Sequence, residues 1–502
     1  MIYLNNSDQG INSGGQIPYS PDLPNLADCT ASNYNTSDAW QITTVEGFTS
    51  LSVLVNAGNA FDDKTVYLGN SIDLSEVTHE CAGSRDQPFS GILDGRGFEI
   101  SHMCHALFGY VSSQGIVKNL NIANASISDT STAASDSRYL GIITRINDGT
   151  IDGCSVSGTA DLNISASKGS AIIGGIAGTN NGSIFNCSNM ADISSTCRNI
   201  HDLLTMHVGG IAGDCSGTIS SCQNGGAIVA NAVANRSDSN AYVGGIVGHS
   251  AYATIDMCFN TGPVGRHESS VNITSSTSSG GIVGYSSGVT ISNCYNAGDI
   301  NAYNGYDARA GGISAGPGDV SNCYNVGTVT AKYGGHSTTA RAICIGTGSS
   351  ESTNSYYLSG TAQYKDILGN TEGCMNAEDM QSSEFVSMLG DAFILPPEDF
   401  ELNCELYLYP LLSWQIKQYT VTFDSNGGSD IEPQTVKEGE KAVKPADPTK
   451  DKYIFDKWLL NNNDYDFDTP VVQDITLVAK WYERLVFTSH PPVGRNGGNP
   501  IE

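Results

Sequence analysis

The sequence predicts an all-β protein: a right-handed parallel β-helix (solenoid) with short capping helices, followed by a small β-rich domain. Three observations predict it. A glycine doublet recurs at steps of 31 to 36 residues. An isoleucine-x-x-cysteine spacing keeps pace with the doublet. The intervening stretches are rich in Gly, Ser, Thr, Asn and β-branched residues, and charged residues make up only 15% of the chain. Such stretches form short strands and turns more readily than helices.

The second glycine of each doublet falls at Gly175, Gly210, Gly245, Gly281 and Gly312. Degenerate copies lie around Gly109 and Gly141, and a worn one at Cys344. Cys154, Cys187, Cys222, Cys258, Cys294 and Cys323 each follow an Ile or Val by three residues. The earliest copy puts Leu120 in the cysteine slot, which marks the slot as buried and apolar. A period of this length means a solenoid or an array. Each unit breaks into three runs, as in GGIVG, TISNCYN and GDINA. Three strands per coil, stacked at roughly 4.8 Å, give a rod on the order of 35–40 Å for about seven or eight coils.

Within a unit the isoleucine of GGIVG points inward. Its glycines permit a sharp turn and close approach of neighbouring coils. A flat strand sends residues three apart to opposite faces. The isoleucine and the cysteine are both internal only if the chain turns a corner between them. The variable stretches ANRSDSN and GRHESSVNITSSTS are expected as loops, collecting on one face.

The chain has 14 cysteines. Six recur once per coil and so form an internal column. Buried free thiols fit this column; sporadic disulfides and a bound metal are the alternatives. Cys29, Cys81, Cys104, Cys374 and Cys404 lie off the column with no assignable partner.

The remaining segments follow in order. Residues 1–40 have no clear reading. Residues 41–418 form the solenoid with its caps, because an open solenoid core needs covering at each end. In TTVEGFTSLSVLVNAG, Thr43 and Glu46 have capping-box spacing, and Phe48, Leu51, Leu54 and Val55 share a helical face. TVYLGNSIDL and FSGILDGRGFEI read as the first strands, with a turn at Asp94–Gly95. NAEDMQSSEFVSMLG reads as a second helix with Phe385, Met388 and Leu389 on its apolar side. YLYPLLSWQ closes the domain. Residues 419–482 change character: alternating YTVTFDSNGG, frequent lysines, and Trp458 and Trp481 as core. Residues 483–502 read as a disordered tail.

Chemistry is sparse. The formal net charge is −28, which repels nucleic acid and anionic lipid. No apolar run reaches the ~20 residues of a membrane span. The start MIYLNNSDQGINSGG has no basic and apolar secretion signal, and the end shows no anchor; the expectation is an intracellular chain or non-native termini. The residue after each glycine motif is Thr179, Asp214, His249, Tyr285 or Pro317, a column with no shared chemistry. Asp94 and Arg96 read as a turn with a surface ion pair. His249, Arg266 and His267 read as a solvated loop. There is no HExxH peptidase motif and no P-loop lysine. No catalytic, cofactor-binding or metal-binding residue is therefore assigned, and no cofactor is expected.

The glycine motifs from Gly109 to about Gly346, with NCYNAG and NCYNVG, resemble the GLUG-motif repeats of bacterial surface proteins. The segment from YTVTFDSNGG to DITLVAKW resembles the Listeria–Bacteroides repeat, a β-grasp-like module akin to internalin B-repeats. These resemblances imply an extracellular, cell-surface setting. The expected function is a non-catalytic scaffold or adhesin that displays loops to an extracellular protein or glycan, without nucleic acid and without membrane insertion. The loops at 231–240 and 266–279 are the expected contact regions. The alternatives are a carbohydrate-active β-helix enzyme, which needs grouped carboxylates, and an accessory region of a larger surface peptidase.

Overall fold

Short runs with an inward Ile or Val, each ended by a turn, dictate the architecture: each reaches only far enough to make one wall of a coil. A computed structural model describes residues 23–129, 137–164, 169–199, 204–234, 240–265, 276–345, 352–361, 373–397, 400–402 and 405–484. The chain divides into two compact units, Met1–Ser413 and Trp414–Glu502. The sequence places this border a few residues later, at 418.

The first unit is a parallel β-solenoid. One wall is an 11-stranded sheet in strict chain order, from Ala39–Ile42 to Ser352–Thr353. A second wall has six strands, Phe108–Val111, Thr144–Asn147, Ala177–Asn180, Ala212–Cys215, Val247–Ser250 and Val283–Ser286. Single bridges Val283–Ser314 and Ser314–Cys344 extend it past the last full strand, so the worn copy at Cys344 is a real rung. The third wall takes a short strand after each cysteine corner, such as Gln223–Asn224, and then two longer ones. One runs outward, such as Ile228–Ala234, and one returns, such as Asn240–Gly244. Each pairs in parallel with its counterpart in the next coil.

The predicted corner is present. Ile291 and Cys294 are both 0% exposed, and Asn293 between them has φ 51°. The residue before every column cysteine has a positive φ: Gly153, Asn186, Ser221, Met257, Asn293 and Asn322. This left-handed residue reverses the side-chain alternation and splits the expected TISNCYN strand into Val289–Ser292 and Tyr295–Asn296. A coil therefore has more than three strands.

The cysteines in the column are free and buried. Their slot is more than apolar. The N–H of Cys187 donates to Cys222 Sγ at 3.4 Å, and Cys222 Sγ donates to the Ser220 carbonyl at 3.2 Å. The same pattern joins Cys154 to Cys187, Cys258 to Cys294 and Cys294 to Cys323. At the end of the column Ser355 takes the role, accepting the Cys323 N–H at 3.4 Å. At Cys187, Cys222, Cys294, Cys323 and Ser355 the side chain accepts the corner N–H of the coil before as well as filling space; only Leu120, at the start of the column, is purely apolar. Burial pushes the thiols of Cys154, Cys187, Cys222 and Cys294 well above the ordinary value. Cys404 lies outside the described residues; Cys29, Cys81, Cys104 and Cys374 are free.

Two residues beyond each column cysteine except Cys154, which Val156 follows, an asparagine builds a second column. Asn189, Asn224, Asn260, Asn296 and Asn325 are all fully buried. Each of the first four donates to the Oδ1 of the next at 2.7 Å. Each also donates to the carbonyl two residues ahead, as Asn260 does to Gly262 at 2.8 Å. Phe259, Tyr295 and Tyr324 stack beside it with centroids 4.9 and 5.0 Å apart.

The caps differ from expectation in detail. Helix α1 spans Val45–Asn56, and its N-cap is Thr44, which accepts the Gly47 N–H. Thr43 instead accepts the Asn25 amide at 2.6 Å. Phe48, Leu51, Leu54 and Val55 are buried as predicted. The strand Ala39–Ile42 precedes this helix, so the solenoid begins inside the segment that had no reading. The second predicted helix is two: α2, Ala377–Met380, and α3, Ser383–Leu389, because Ser382 caps a fresh start. Phe385 and Leu389 are buried, but Met388 is 41% exposed and does not belong to the apolar side. Tyr324 meets Phe385, Phe393 and the hydroxyl of Tyr407, which closes the column. The closing segment pairs Leu411–Leu412 with Phe393–Ile394.

The second unit is a five-stranded mixed sheet. Gln418–Asp424 and Ile475–Glu483 are parallel at its centre, with Gln434–Lys437, Tyr453–Leu460 and Asn463–Asp464 antiparallel outside. Gln418–Asp424 alternates buried and exposed as its sequence does. Trp458 is 1% exposed in the core; Trp481 packs against it and donates to the Ser425 carbonyl. Among the described residues of this unit no α-helix crosses the sheet.

Candidate functional site

The glycine doublets place the site. Gly209 and Gly210 form the corner between the returning strand Leu204–Gly209 and the wall strand Ala212–Cys215. A Cβ on Gly210 would lie 2.2 Å from the Gly245 carbonyl oxygen. The coils thus stack at backbone contact here. Side chains on either side of the corner come together, although seven residues separate them.

Two columns meet at that corner. The wall strands align Thr179, Asp214, His249 and Tyr285 in register. The returning strands align Ile172, His207, Tyr242, Ser278 and Arg309. Asp214 Oδ1 lies 3.0 Å from His207 Nδ1 and 2.7 Å from His249 Nδ1. The two imidazole rings are 4.6 Å apart and nearly parallel. Tyr242 stacks on His207, His249 and Tyr285 at 5.3, 5.7 and 4.7 Å. The strip presents ring edges, imidazole nitrogens and phenol oxygens.

The electrostatics follow from burial. His207 is buried, and that lowers its pKa against the opposing pull of Asp214. Its Nε2 has no hydrogen-bond partner, nor has the Thr179 hydroxyl in the coil before. Burial also works against ionised Asp214, but hydrogen bonds from His207 and His249 outweigh it and hold the carboxyl well below its usual range. At neutral pH the cluster holds one carboxylate and a neutral His207. His207, Asp214 and His249 are a group whose ligand atoms all lie within 4.8 Å of one another.

The column read from sequence was therefore the right one, but its chemistry runs between coils. Asp214, His249 and Tyr285 come together; Thr179 extends the row. Pro317 does not belong, because Ser314 pairs with Val283 and brings Gly316 beside Tyr285. Sequence reasoning missed His207 and Tyr242, two residues before the doublets. Reading both flanks of the doublet across coils would have found them. Arg266 and His267 lie outside the described residues. Asp94 pairs with Lys118 at 3.6 Å rather than with Arg96, whose guanidinium sits 3.9 Å over the Tyr67 ring. From Arg96, Asp94 accepts the backbone N–H, which shapes the turn, and it also accepts the Asn119 amide at 3.2 Å. Of the expected contact loops, Ile228–Ala234, Asn240–Gly244 and Ser276–Gly280 cover 231–234, 240 and 276–279 as strand, and 235–239 and 266–275 lie outside the described residues.

The comparisons agree with the repeats. The GLUG motif family matches residues 239–264, which include Tyr242 and His249, and the Listeria–Bacteroides repeat domain matches 419–480. The chain carries both modules. Two proteins of Evansella cellulosilytica are similar to it. One, named "Putative membrane protein", is 31% identical over 108 residues, 20% of this chain and 16% of that protein. The other, named "Putative Gly-rich membrane protein", is 31% identical over 118 residues, 22% of this chain and 13% of that protein. The matched part is thus a small share of either relative. A crystal structure of a "putative immunoglobulin A1 protease" from Bacteroides ovatus aligns over 75% of this chain and 92% of that one, with 19% identity and a TM-score of 0.39. No helix among the described residues is long and apolar enough to cross a membrane.

Proposed function

We propose that this protein is a non-catalytic scaffold of the bacterial cell surface, whose solenoid presents a side-chain strip to an extracellular protein or glycan. The observation that carries the reading is the stacked row His207, Tyr242, His249 and Tyr285, held at coil spacing on the outside of the solenoid. Structural packing does not require this row. The interior columns already bury Ile211, Ile246 and Ile282 beneath it. Rigid rows of aromatic edges and polar tips suit ligands with alternating apolar and hydroxyl or amide groups. The GLUG repeats and the membrane-protein names of the relatives support a surface setting.

The non-catalytic part rests on the carboxylate count. Glycosidic cleavage uses two carboxyl groups on either side of the bond. This strip offers Asp214, and both imidazoles already hold it.

A glycan and protein array probed with the intact chain tests the reading. Binding is expected, and Tyr242→Ala or Tyr285→Ala should weaken it roughly tenfold or more. Tyrosine variants that bind as well as the parent would remove the strip from the function. Turnover of pectins or glycosaminoglycans, with or without calcium, would overturn the non-catalytic reading.

A further inference from the structure

The centre of this strip holds a cluster that need not serve the ligand proposed above. We propose that His207 and His249, each through one ring nitrogen, and the Asp214 carboxylate bind a divalent transition metal of the zinc class.

The donor set selects the ion. Two imidazoles and one carboxylate suit Zn2+, Co2+ or Ni2+, whereas Ca2+ and Mg2+ take oxygen ligands. Spacing is close to what coordination needs. Ligand atoms of a tetrahedral zinc site, with bonds near 2.1 Å, are about 3.4 Å apart. Here Asp214 Oδ1 lies 3.0 and 2.7 Å from the two Nδ1 atoms. The ion would replace the protons in these two hydrogen bonds, and the contacts need open only by some tenths of an ångström.

The frame around it is rigid. His249 lies directly beside Asp214 in strand register, and the Gly209–Gly210 corner fixes His207 against the same carboxylate. The rings stack on Tyr242, which limits their rotation.

Burial divides the three ligands. His207 is 7% exposed, and its buried Nε2 has no hydrogen-bond partner. The side chains of Asp214 and His249 are 25% and 23% exposed. This leaves an open side, where water or an oxygen of a bound ligand completes the shell.

The test uses the tag-free full chain, stripped with chelator, in a Cys374→Ser background that removes the exposed thiol. CoCl2 is titrated by calorimetry and followed by visible absorption. One Co2+ per chain is expected, with d–d bands of nitrogen and oxygen ligation and no thiolate charge-transfer band. Asp214→Asn and His249→Gln should each weaken binding by more than about tenfold, with circular dichroism unchanged. Absence of stoichiometric Co2+ binding by the parent chain overturns the site, whatever the variants do. So does binding that survives both substitutions, or a thiolate band that places the ion among the cysteines.

Discussion

At the scale of single residues, the cysteine slot separates volume from hydrogen bonding. If the slot were purely apolar, Cys222→Val would be the mild change and Cys222→Ser the harmful one. The Cys187 N–H donates to Cys222 Sγ, so valine leaves that donor unpaired, at about 1–3 kcal/mol. Serine keeps an acceptor there, as Ser355 does for Cys323. Chemical denaturation should therefore rank valine below serine; the reverse order restores the apolar view. Asparagine is a stricter case. Asn260 satisfies Gly262, Asn224 and Asn296 at once. Asn260→Ala orphans several buried groups and should cost about 3 kcal/mol or more, read as a fall in the denaturation midpoint. The histidines give a pH signature. Burial lowers the pKa of His207 and of His79 below 6.5. The Cys104 and His105 N–H groups both donate to His79 Nε2, so that ring too is held neutral. Below pH 6.5 the unfolded chain takes up protons that the folded chain refuses, so stability falls as the pH drops. The Asp214 contribution has the same sign but is lost only below the ordinary carboxylate range, near 3.8. Melting temperature should decline from pH 7.5 to 5.5, and His207→Gln should flatten part of that slope. A flat profile in the parent chain contradicts the buried neutral imidazoles.

At the scale of an element, the glycine doublet is a matter of space rather than of backbone freedom. Gly245 has no left-handed φ, yet a Cβ there would meet the Gly281 carbonyl oxygen at 2.2 Å. If the doublet only supplied flexibility, Gly245→Ala would stabilise the protein by about 0.4–1 kcal/mol. Close stacking instead predicts a loss of about 1–3 kcal/mol. The sign of the change in unfolding free energy distinguishes the two. The corner before each cysteine is the opposite case, where conformation rules. Asn186, Asn293 and Asn322 adopt a left-handed φ that asparagine tolerates.

At the scale of the whole molecule, the two units have separate cores. Trp458, Phe423, Val421 and Leu477 form one that shares no member with the solenoid interior. The fragment 414–502 should fold alone. Its expected signature is a cooperative thermal transition in tryptophan fluorescence; a fragment without one would make the sheet dependent on the solenoid. The strip of His207, Tyr242, His249 and Tyr285 is a property of the stack as well. It spans neighbouring coils, and no isolated repeat contains it.

Much of this was written in the chain itself. A fixed period, a doublet that only glycine can fill and a once-per-coil cysteine determine coil length, interior columns and the corner between Ile and Cys, because each is a local demand repeated in every unit. Alternation in YTVTFDS fixes its strand for the same reason. Tertiary structure alone decided what touches across coils: Asn on Asn, the corner N–H on a thiol, and His207 and His249 on one carboxylate. Those pairings depend on strand register and on a corner that folds position 207 against 214. Residues with no common chemistry along the sequence become a cluster only when the backbone stacks them.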